Sequence, residues 1–322
     1  VETFTARPRP GSQFRRWVNY CTARPDNTCP FNVEQRFVDA VAGTTAPPLV
    51  AVFRPVANTG LNALFIGDNQ TDALGAGVEA HALAAGFGDH TTTRFAADGD
   101  DGAPQALWDD PASRAAIQAV LDGGDVDVLG MTWSDAYPEL DGYRSWIDYA
   151  LAKNWDTRFF ITTPPGSYFP GTTFAQFETF YELNEAAVHA LVDALRAEYP
   201  GVDIYALPSG RAAVDLYGMY FAGELNDDLD VLISLDNSES AVFQDFYGTP
   251  GDILAELGGL VWFASIYGSD LAGLPYAPLF NADLVAAADA LVDAHPLAYA
   301  APPHAYPDAD GDGVPDRFDP IS

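Results

Sequence analysis

Asn62-Ala-Leu-Phe-Ile-Gly-Asp-Asn-Gln-Thr-Asp-Ala-Leu-Gly75 is the stretch from which the fold of this chain can be predicted. Its apolar run ends at a Gly-Asp turn, and a segment with helical spacing of apolar residues follows, 71–85. A short apolar run that stops at such a turn is typical of a buried parallel strand. Open α/β sheets bind ligands at the carboxyl ends of their strands, where backbone N–H groups of the next helix are also available. We therefore expect the functional site at this turn.

The rest of the chain alternates between strands and helices in the same way. Further strands are predicted at 90–95, 126–132, 158–163 and 203–207, and further helices at 111–121, 140–151, 173–199, 210–221, 253–267 and 282–294. Strands that alternate with helices of ten or more residues indicate βαβ units. The sequence therefore predicts an α/β protein with a mostly parallel five-stranded sheet.

Three regions are predicted along the chain. Residues 1–58 form a polar, irregular N-terminal extension with one helix at 32–42 and a short strand at 49–53. Residues 59–300 form the α/β domain, and residues 301–322 form an acidic C-terminal segment.

The stretch Phe65-Ile-Gly-Asp-Asn-Gln-Thr-Asp72 resembles the first block of the SGNH/GDSL hydrolases, Gly-Asp-Ser-x-Thr-Asp. The resemblance extends over residues 60–270 and implies a three-layer α/β/α, flavodoxin-like fold. In that family the serine of this block is the nucleophile in ester hydrolysis. Asn69 stands in its place here, and a carboxamide has no hydroxyl proton to remove, so acyl transfer by the family's route cannot start.

The family's late block, Asp-x-x-His, is also incomplete. Asp245 matches its aspartate, but Gly248 or Thr249 stands where the histidine is expected, and no histidine lies between His189 and His295. The general base is therefore missing together with the nucleophile. The resemblance thus implies a degenerate member that is not expected to hydrolyse esters, with degenerate positions at Asp68, Asn69, Asp245 and Thr249.

Four residues are predicted to line a ligand cleft at the sheet edge: Asn69, Trp133, Ser134 and Asp135. The last three follow the third strand in Gly130-Met-Thr-Trp-Ser-Asp135, where the family usually has Gly-x-Asn-Asp and this chain lacks the asparagine. The simpler interpretation of Trp133 is an aromatic side chain that packs over the sheet.

Rearranged catalysis is the main alternative. Ser134, Ser167, Ser238 and Ser240 lie in predicted loops, and His81 or His90 could approach one of them in space. Asp68 and Asp72 could also act as an acid/base pair. Asp72 is more simply a charge in the first turn of a helix, where the helix dipole favours it.

The C-terminal segment contains the most regular motif of the chain, Asp308-Ala-Asp-Gly-Asp-Gly-Val-Pro-Asp-Arg-Phe-Asp319. Alternate carboxylates in a tight, glycine-bearing loop suit calcium, which prefers six to eight oxygen ligands. The pattern resembles a thrombospondin type 3 repeat. The predicted calcium ligands are Asp308, Asp310, Asp312, Asp316 and Asp319. An acidic, flexible tail is the alternative.

Composition limits the partners and the cellular location. With 46 acidic and 15 basic residues, the formal net charge of −31 disfavours nucleic acid and anionic membranes. Cys21 and Cys29 are predicted to form a local disulfide, which is typical of exported proteins. The chain starts at Val1 and has no signal-peptide pattern, which suggests a mature form whose leader has been removed. No apolar stretch is long enough to span a membrane, so an extracellular protein is predicted.

Three functions remain open at the level of sequence. The first is a secreted, inactive SGNH-like protein with a structural or binding role. Such a protein could assemble through calcium into homo-oligomers or filaments, or it could bind a cell-surface or other extracellular partner. The second is an active extracellular esterase or carbohydrate deacetylase with rearranged catalytic residues. The third is a carbohydrate-binding protein that uses the old cleft, with Trp133, Tyr137 and Tyr143 as stacking platforms.

Overall fold

The structure, a computed structural model, describes residues 60–301 apart from 165–170, 237, 270, 272–273 and 276, together with the backbone of four N-terminal strands. The chain divides into two compact units, and the larger one runs from Gly60 to His304. The predicted helix at 32–42, Cys21 and the aspartates of residues 308–319 lie outside the described residues. The disulfide and the calcium loop therefore stay predictions.

The N-terminal extension contains strands where the sequence predicts irregular structure. They are β1 (Glu2–Thr5), β2 (Ser12–Val18), β3 (Thr28–Phe31) and β4 (Val50–Pro55). β1 pairs with β3 and β2 pairs with β4, both antiparallel. Only β4 was anticipated, as the strand at 49–53. The others are short or broken by proline and charged residues, which hides the alternation that identifies a strand.

The larger unit alternates strands and helices. Its strands are β5 (Asn62–Gly67), β6 (Thr91–Ala96), β7 (Val128–Thr132), β8 (Arg158–Thr162), β9 (Ile204–Leu207), β10 (Val231–Ile233) and β11 (Ala241–Phe243). Its helices are α1 (Asn69–Ala84), α2 (Pro104–Asp109), α3 (Pro111–Leu121), α4 (Asp141–Lys153), α5 (Phe174–Glu198), α6 (Ser209–Ala222), α7 (Asp252–Tyr267) and α8 (Leu284–Ala294). A 3₁₀ turn spans Gly99–Gly102. None of these described helices combines the length and the apolar character needed to cross a membrane.

The central sheet confirms the predicted fold class. Its strand order is β6-β5-β7-β8-β9, and every pairing is parallel. Numbered within the sheet, this is the flavodoxin-like order 2-1-3-4-5, in which the strand order reverses beside the first strand. The turn after β5 therefore lies at the point where such sheets open a crevice for ligands.

The layers follow from the alternation of side chains along each strand. One face of the sheet, for example Leu64, Leu129 and Phe159, joins a core with α2 to α5. The other face packs against α7, where the ring of Phe65 lies 5.0 Å from that of Trp262. Helices on both faces explain why β5, β7, β8 and β9 are buried along almost their whole length, whereas the edge strand β6 is partly exposed.

Four elements of the larger unit were not predicted. The 3₁₀ turn and α2 lie between the predicted strand at 90–95 and the predicted helix at 111–121. β10 and β11 form a separate parallel pair of three residues each. Elements this short have too few residues for a periodic pattern.

Candidate functional site

A cleft of about 640 Å³ opens at the carboxyl ends of the central strands β5, β7 and β8. Its lining comes from the turn after β5, the 3₁₀ turn, the loop after β7, one face of α5 and the loop after β11. The residues are Asp68, Gln70, Gly99, Asp100, Gly102, Ala103, Thr132, Trp133, Ser134, Asp135, Pro164, Phe180, Asn184 and Tyr247.

Gly67 allows the turn after β5 to form. The hydroxyls of Thr71 and Thr132 hydrogen-bond to each other across it at 2.8 Å. A Cβ on Gly67 would lie 2.1 Å from each of those two oxygens. Close packing of α1 against the end of β7 therefore requires glycine here.

Asp68 begins α1 as its N-cap, and its carboxylate accepts a hydrogen bond from the N–H of Gln70 at 3.1 Å. Burial raises the pKa of this carboxyl to about 6, and the hydrogen bonds from Gln70 and Thr71 offset part of that rise. A cleft-lining carboxyl that titrates near pH 6 can be present in both protonation states at physiological pH.

Asn69 lies at the first helical position and is exposed to solvent. Its neighbours Asp68 and Gln70 line the cleft, whereas Asn69 is not among the lining residues. Asp72 forms an ion pair with Arg94, with 2.9 Å between the carboxylate oxygen and Nε. This pairing opposes the hypothesis of an Asp68–Asp72 acid/base pair and agrees with a structural role for Asp72.

The loop after β7 brings Trp133, Ser134 and Asp135 to the cleft, as the end of the predicted third strand suggests. The hydroxyl of Ser134 donates to Asp100 Oδ1 at 2.8 Å and accepts from the N–H of Ala136 at 3.1 Å. Trp133 is only 7 % exposed and belongs to the core, with one side at the cleft. Most of the Trp133 side chain therefore packs on the sheet, as its simpler interpretation predicts.

Tyr143 is not a stacking platform, contrary to the third sequence hypothesis. It is 1 % exposed and its hydroxyl donates to the carbonyl of Thr132. Its position on the buried face of α4 explains this, because Trp146 and Ile147 share that face. Tyr137 is half-buried and is not among the lining residues.

The late block reaches the cleft through Tyr247, which sequence reasoning missed. Asp245 accepts hydrogen bonds from the N–H groups of Tyr247 and Thr249 and from the Thr249 hydroxyl, at 2.8, 3.0 and 2.5 Å. It therefore holds the shape of its own loop. Tyr247 is 75 % exposed, and nothing in the local pattern of its loop indicates its direction.

Phe180 was missed as well, although the sequence contains a signal for it. The buried stripe of α5 includes Phe177, Tyr181 and Val188. Phe180 lies at the edge of this stripe and is 46 % exposed. An exposed aromatic residue beside the buried face of a helix is a candidate for binding.

None of the described histidines lies in the cleft. His81 packs beside Phe263, and His90 hydrogen-bonds to Tyr267 and Thr92. His189 and His295 lie next to each other, with 5.8 Å between ring centroids. Within the part of the chain that the structure describes, no imidazole is placed to activate Ser134 or any other cleft hydroxyl.

No family model matches the chain, and no curated protein matches it. Several solved structures do. A DUF4886 family protein from Bacteroides uniformis is 14% identical over 72% of this chain and 93% of its own, with a TM-score of 0.46. A GDSL-like lipase from Parabacteroides merdae is 11% identical over 65% of this chain and 98% of its own, with a TM-score of 0.40. The periplasmic domain of a lipopolysaccharide acetyltransferase from Salmonella ser. Paratyphi A is 16% identical over 49% of this chain and 69% of its own, with a TM-score of 0.32. All three similarities are distant, so any inference about function must rest on the residues of the cleft.

Proposed function

We propose that this chain is a binding protein whose cleft takes a neutral, hydroxyl-rich ligand of the carbohydrate class, and that it does not hydrolyse esters. The observation that supports this most is the chemistry of the lining. Two exposed aromatic side chains share the cleft with carboxylates, amides and hydroxyls, and the described lining residues include no histidine.

The aromatic side chains supply the apolar part of such a site. Phe180 extends from α5 and Tyr247 from the loop after β11, and both are exposed in the absence of a ligand. The C–H faces of a sugar ring pack well on the negative face of an aromatic ring. Burying exposed aromatic surface also gives free energy to binding without requiring a charged ligand.

The polar lining favours a neutral ligand. Asp68, Asp100 and Asp135 contribute carboxylates, and Gln70 and Asn184 contribute amides. No lysine or arginine occurs among the described residues of the lining. Such a site would repel phosphates and uronic acids, whereas sugar hydroxyls can donate to the carboxylates and exchange hydrogen bonds with the amides.

Hydrolysis lacks its required parts. Asn69 cannot act as the nucleophile. Ser134 is held between Asp100 and Ala136 by hydrogen bonds. An active esterase of the Ser-His-Asp type would also need an imidazole base, and the described lining residues include no histidine.

Phe180→Ala and Tyr247→Ala are each expected to weaken binding about tenfold, which corresponds to about 1.4 kcal/mol, because each removes one packing face for the ligand. The measurement is isothermal titration of the protein with soluble neutral oligosaccharides chosen from an array screen. Phe221→Ala is the matched control, because Phe221 is 64 % exposed and does not line the cleft.

Two results would contradict the proposal. One is an array on which only anionic glycans bind. The other is turnover of p-nitrophenyl acetate, or labelling by a fluorophosphonate, that disappears in Ser134→Ala. The second result would establish the alternative function, an esterase with a rearranged nucleophile.

The predicted calcium loop at 308–319 supports a second, separate proposal, that this protein is exported and that calcium mediates its assembly. Strong self-repulsion is expected from a net charge of −31, and bridging cations would relieve it. Size-exclusion chromatography with light scattering is expected to show larger species with calcium than with EDTA. The Asp310→Asn/Asp312→Asn variant should remain small in both. A calcium-independent size would refute this role.

A further inference from the structure

We propose that Glu185, His189 and His295 form a zinc site, separate from the cleft. One donor atom from each of these side chains lies within 4.8 Å of the other two. A carboxylate with two imidazoles is one of the ligand sets that zinc uses when it has three protein ligands and one open position.

The first two ligands come from a single helix. Glu185 and His189 are four residues apart on α5, about one turn, so both side chains extend from the same face. Both are half-buried, so an ion can reach them from solvent.

The third ligand is brought by the end of another helix. His295 is the C-cap of α8 and is 7 % exposed. Its ring lies 5.8 Å from that of His189, measured between centroids. The two histidines are far apart in the sequence, and only the fold places them together.

The nitrogens of these rings give an independent indication of a binding site. Nε2 of His189 is buried and makes no hydrogen bond to the described residues, and the buried ring of His295 has the backbone of Ala206 as a polar neighbour without a well-formed hydrogen bond to it. A buried polar atom without a partner is costly, and native proteins contain few of them.

The surroundings resemble the outer shell of a metal site. The hydroxyl of Tyr181 donates to Glu185 Oε1 at 2.8 Å. The ring of Tyr299 stacks on His189 with 3.7 Å between centroids, and its hydroxyl donates to Asp193 at 2.9 Å. A hydrogen bond from an outer-shell residue to a metal ligand helps to orient that ligand.

Zinc fits these donors better than calcium does. Imidazole nitrogens suit zinc, copper and nickel, whereas calcium prefers a set made only of oxygens. A tetrahedral zinc with bonds of about 2.1 Å needs donors about 3.4 Å apart. The three donors lie within 4.8 Å of one another, so they must close by at most about 1.4 Å. Rotation of the half-buried side chains of Glu185 and His189 can supply this movement.

Zinc binding would also fasten one edge of the sheet. The segment after His295 covers the edge strand β9, because the N–H of Ala206 donates to the carbonyl of Tyr299 at 3.0 Å. A zinc ion bound by both α5 and His295 would link the segment after His295 to α5. We therefore expect zinc to raise Tm.

The test uses full-length, tag-free protein that has been stripped of metal, titrated with zinc against a chromophoric chelator in excess calcium. One zinc per chain is expected. His189→Asn and His295→Asn should each weaken zinc binding at least about 100-fold, since loss of an outer-shell partner alone costs 10–100-fold. Glu185→Gln should weaken it too. In the presence of cobalt, the native protein should show the visible absorption of a four-coordinate ion, which both histidine variants should lose.

Two control variants test whether zinc binds at this site and not at another histidine or at an acidic segment. His81→Asn removes a buried histidine elsewhere, and Asp310→Asn/Asp312→Asn alters the predicted calcium loop. Both are expected to keep the zinc affinity and the rise in Tm. The proposal is overturned if the native protein takes up no zinc in excess calcium, or if folded His189→Asn and His295→Asn, checked by circular dichroism, bind zinc as the native protein does.

Discussion

Gly67→Ala is expected to lower the free energy of unfolding by about 3 kcal/mol or more, the upper part of the range for overpacked cores. The added Cβ would lie 2.1 Å from the hydroxyl oxygens of both Thr71 and Thr132. Threonine is branched at Cβ and has few alternative rotamers, so neither side chain can easily turn away. The backbone of Gly67 is fixed as well, because it pairs with β6 in the central sheet. Urea unfolding followed by tryptophan fluorescence measures the loss.

Gly88→Ala is the matched control for this prediction. A Cβ at Gly88 would meet nothing within 4 Å, so its stability should change by less than about 0.5 kcal/mol. In a Thr71→Ala/Thr132→Ala background, Gly67→Ala should cost less than in the native protein, because the two clashing oxygens are gone. An equal cost in both backgrounds would show that the clash does not explain the glycine.

The sequence predicts the central sheet well because four of its strands contain short apolar runs and β6 is rich in β-branched threonine. The edge rule for parallel sheets predicts Asn69, Trp133, Ser134 and Asp135 at one cleft. In the structure the last three line a pocket with Asp68, whereas Asn69 does not line it. Phe180 and Tyr247 join this cleft from a helix and from a loop distant in the sequence. No local pattern specifies the rotation of a helix relative to a loop so far away, so their meeting depends on tertiary packing.

Tertiary packing also explains why the prediction for Tyr143 was wrong. Tyr143 lies close in sequence to the cleft, but the phase of α4 turns it into the core. His189 and His295 were considered only as positions that leave the late block without a histidine. Their proximity requires α8 to end against α5, and the sequence contains no signal for this contact.

Asp68→Asn is expected to stabilise the protein at pH 7, by about 2 kcal/mol. The pKa of Asp68 rises from 3.8 to about 6 in the folded state because burial disfavours the charge. Each unit of pKa corresponds to about 1.4 kcal/mol, and the partial exposure of this carboxyl reduces the full value of about 3 kcal/mol. Asparagine is also a good N-cap, so the hydrogen bond from Gln70 can be kept.

The sign of the pH dependence follows from proton linkage. Between pH 4 and pH 6 the folded protein holds a proton on Asp68 that the unfolded chain has released, so the contribution of this group to stability falls as pH rises. The stability difference between Asp68→Asn and the native protein should therefore be near zero at pH 4 and reach its full size above pH 6. Urea unfolding across this range measures the difference and cancels the titration of other groups.

Asp110→Asn provides a control with the opposite sign. Asp110 caps α3, and hydrogen bonds from Ser113 hold the pKa of this exposed carboxyl below its usual value. Its contribution to stability is present at neutral pH and is lost as pH falls through that lowered pKa. Asp110→Asn should therefore destabilise the protein at pH 7, although it removes the same single charge. If both variants change stability in the same direction at pH 7, net charge explains the effect and burial of Asp68 does not.

A stabilising Asp68→Asn would identify a cost that the native protein carries at its cleft. Residues that reduce stability are found mainly where function requires them. The same variant is then expected to weaken carbohydrate binding, because asparagine offers a sugar hydroxyl a weaker acceptor than a carboxylate does. If Asp68→Asn is more stable and binds carbohydrate more weakly, Asp68 belongs to the binding site. If the variant is more stable and binds carbohydrate equally well, the burial of Asp68 has no function in binding.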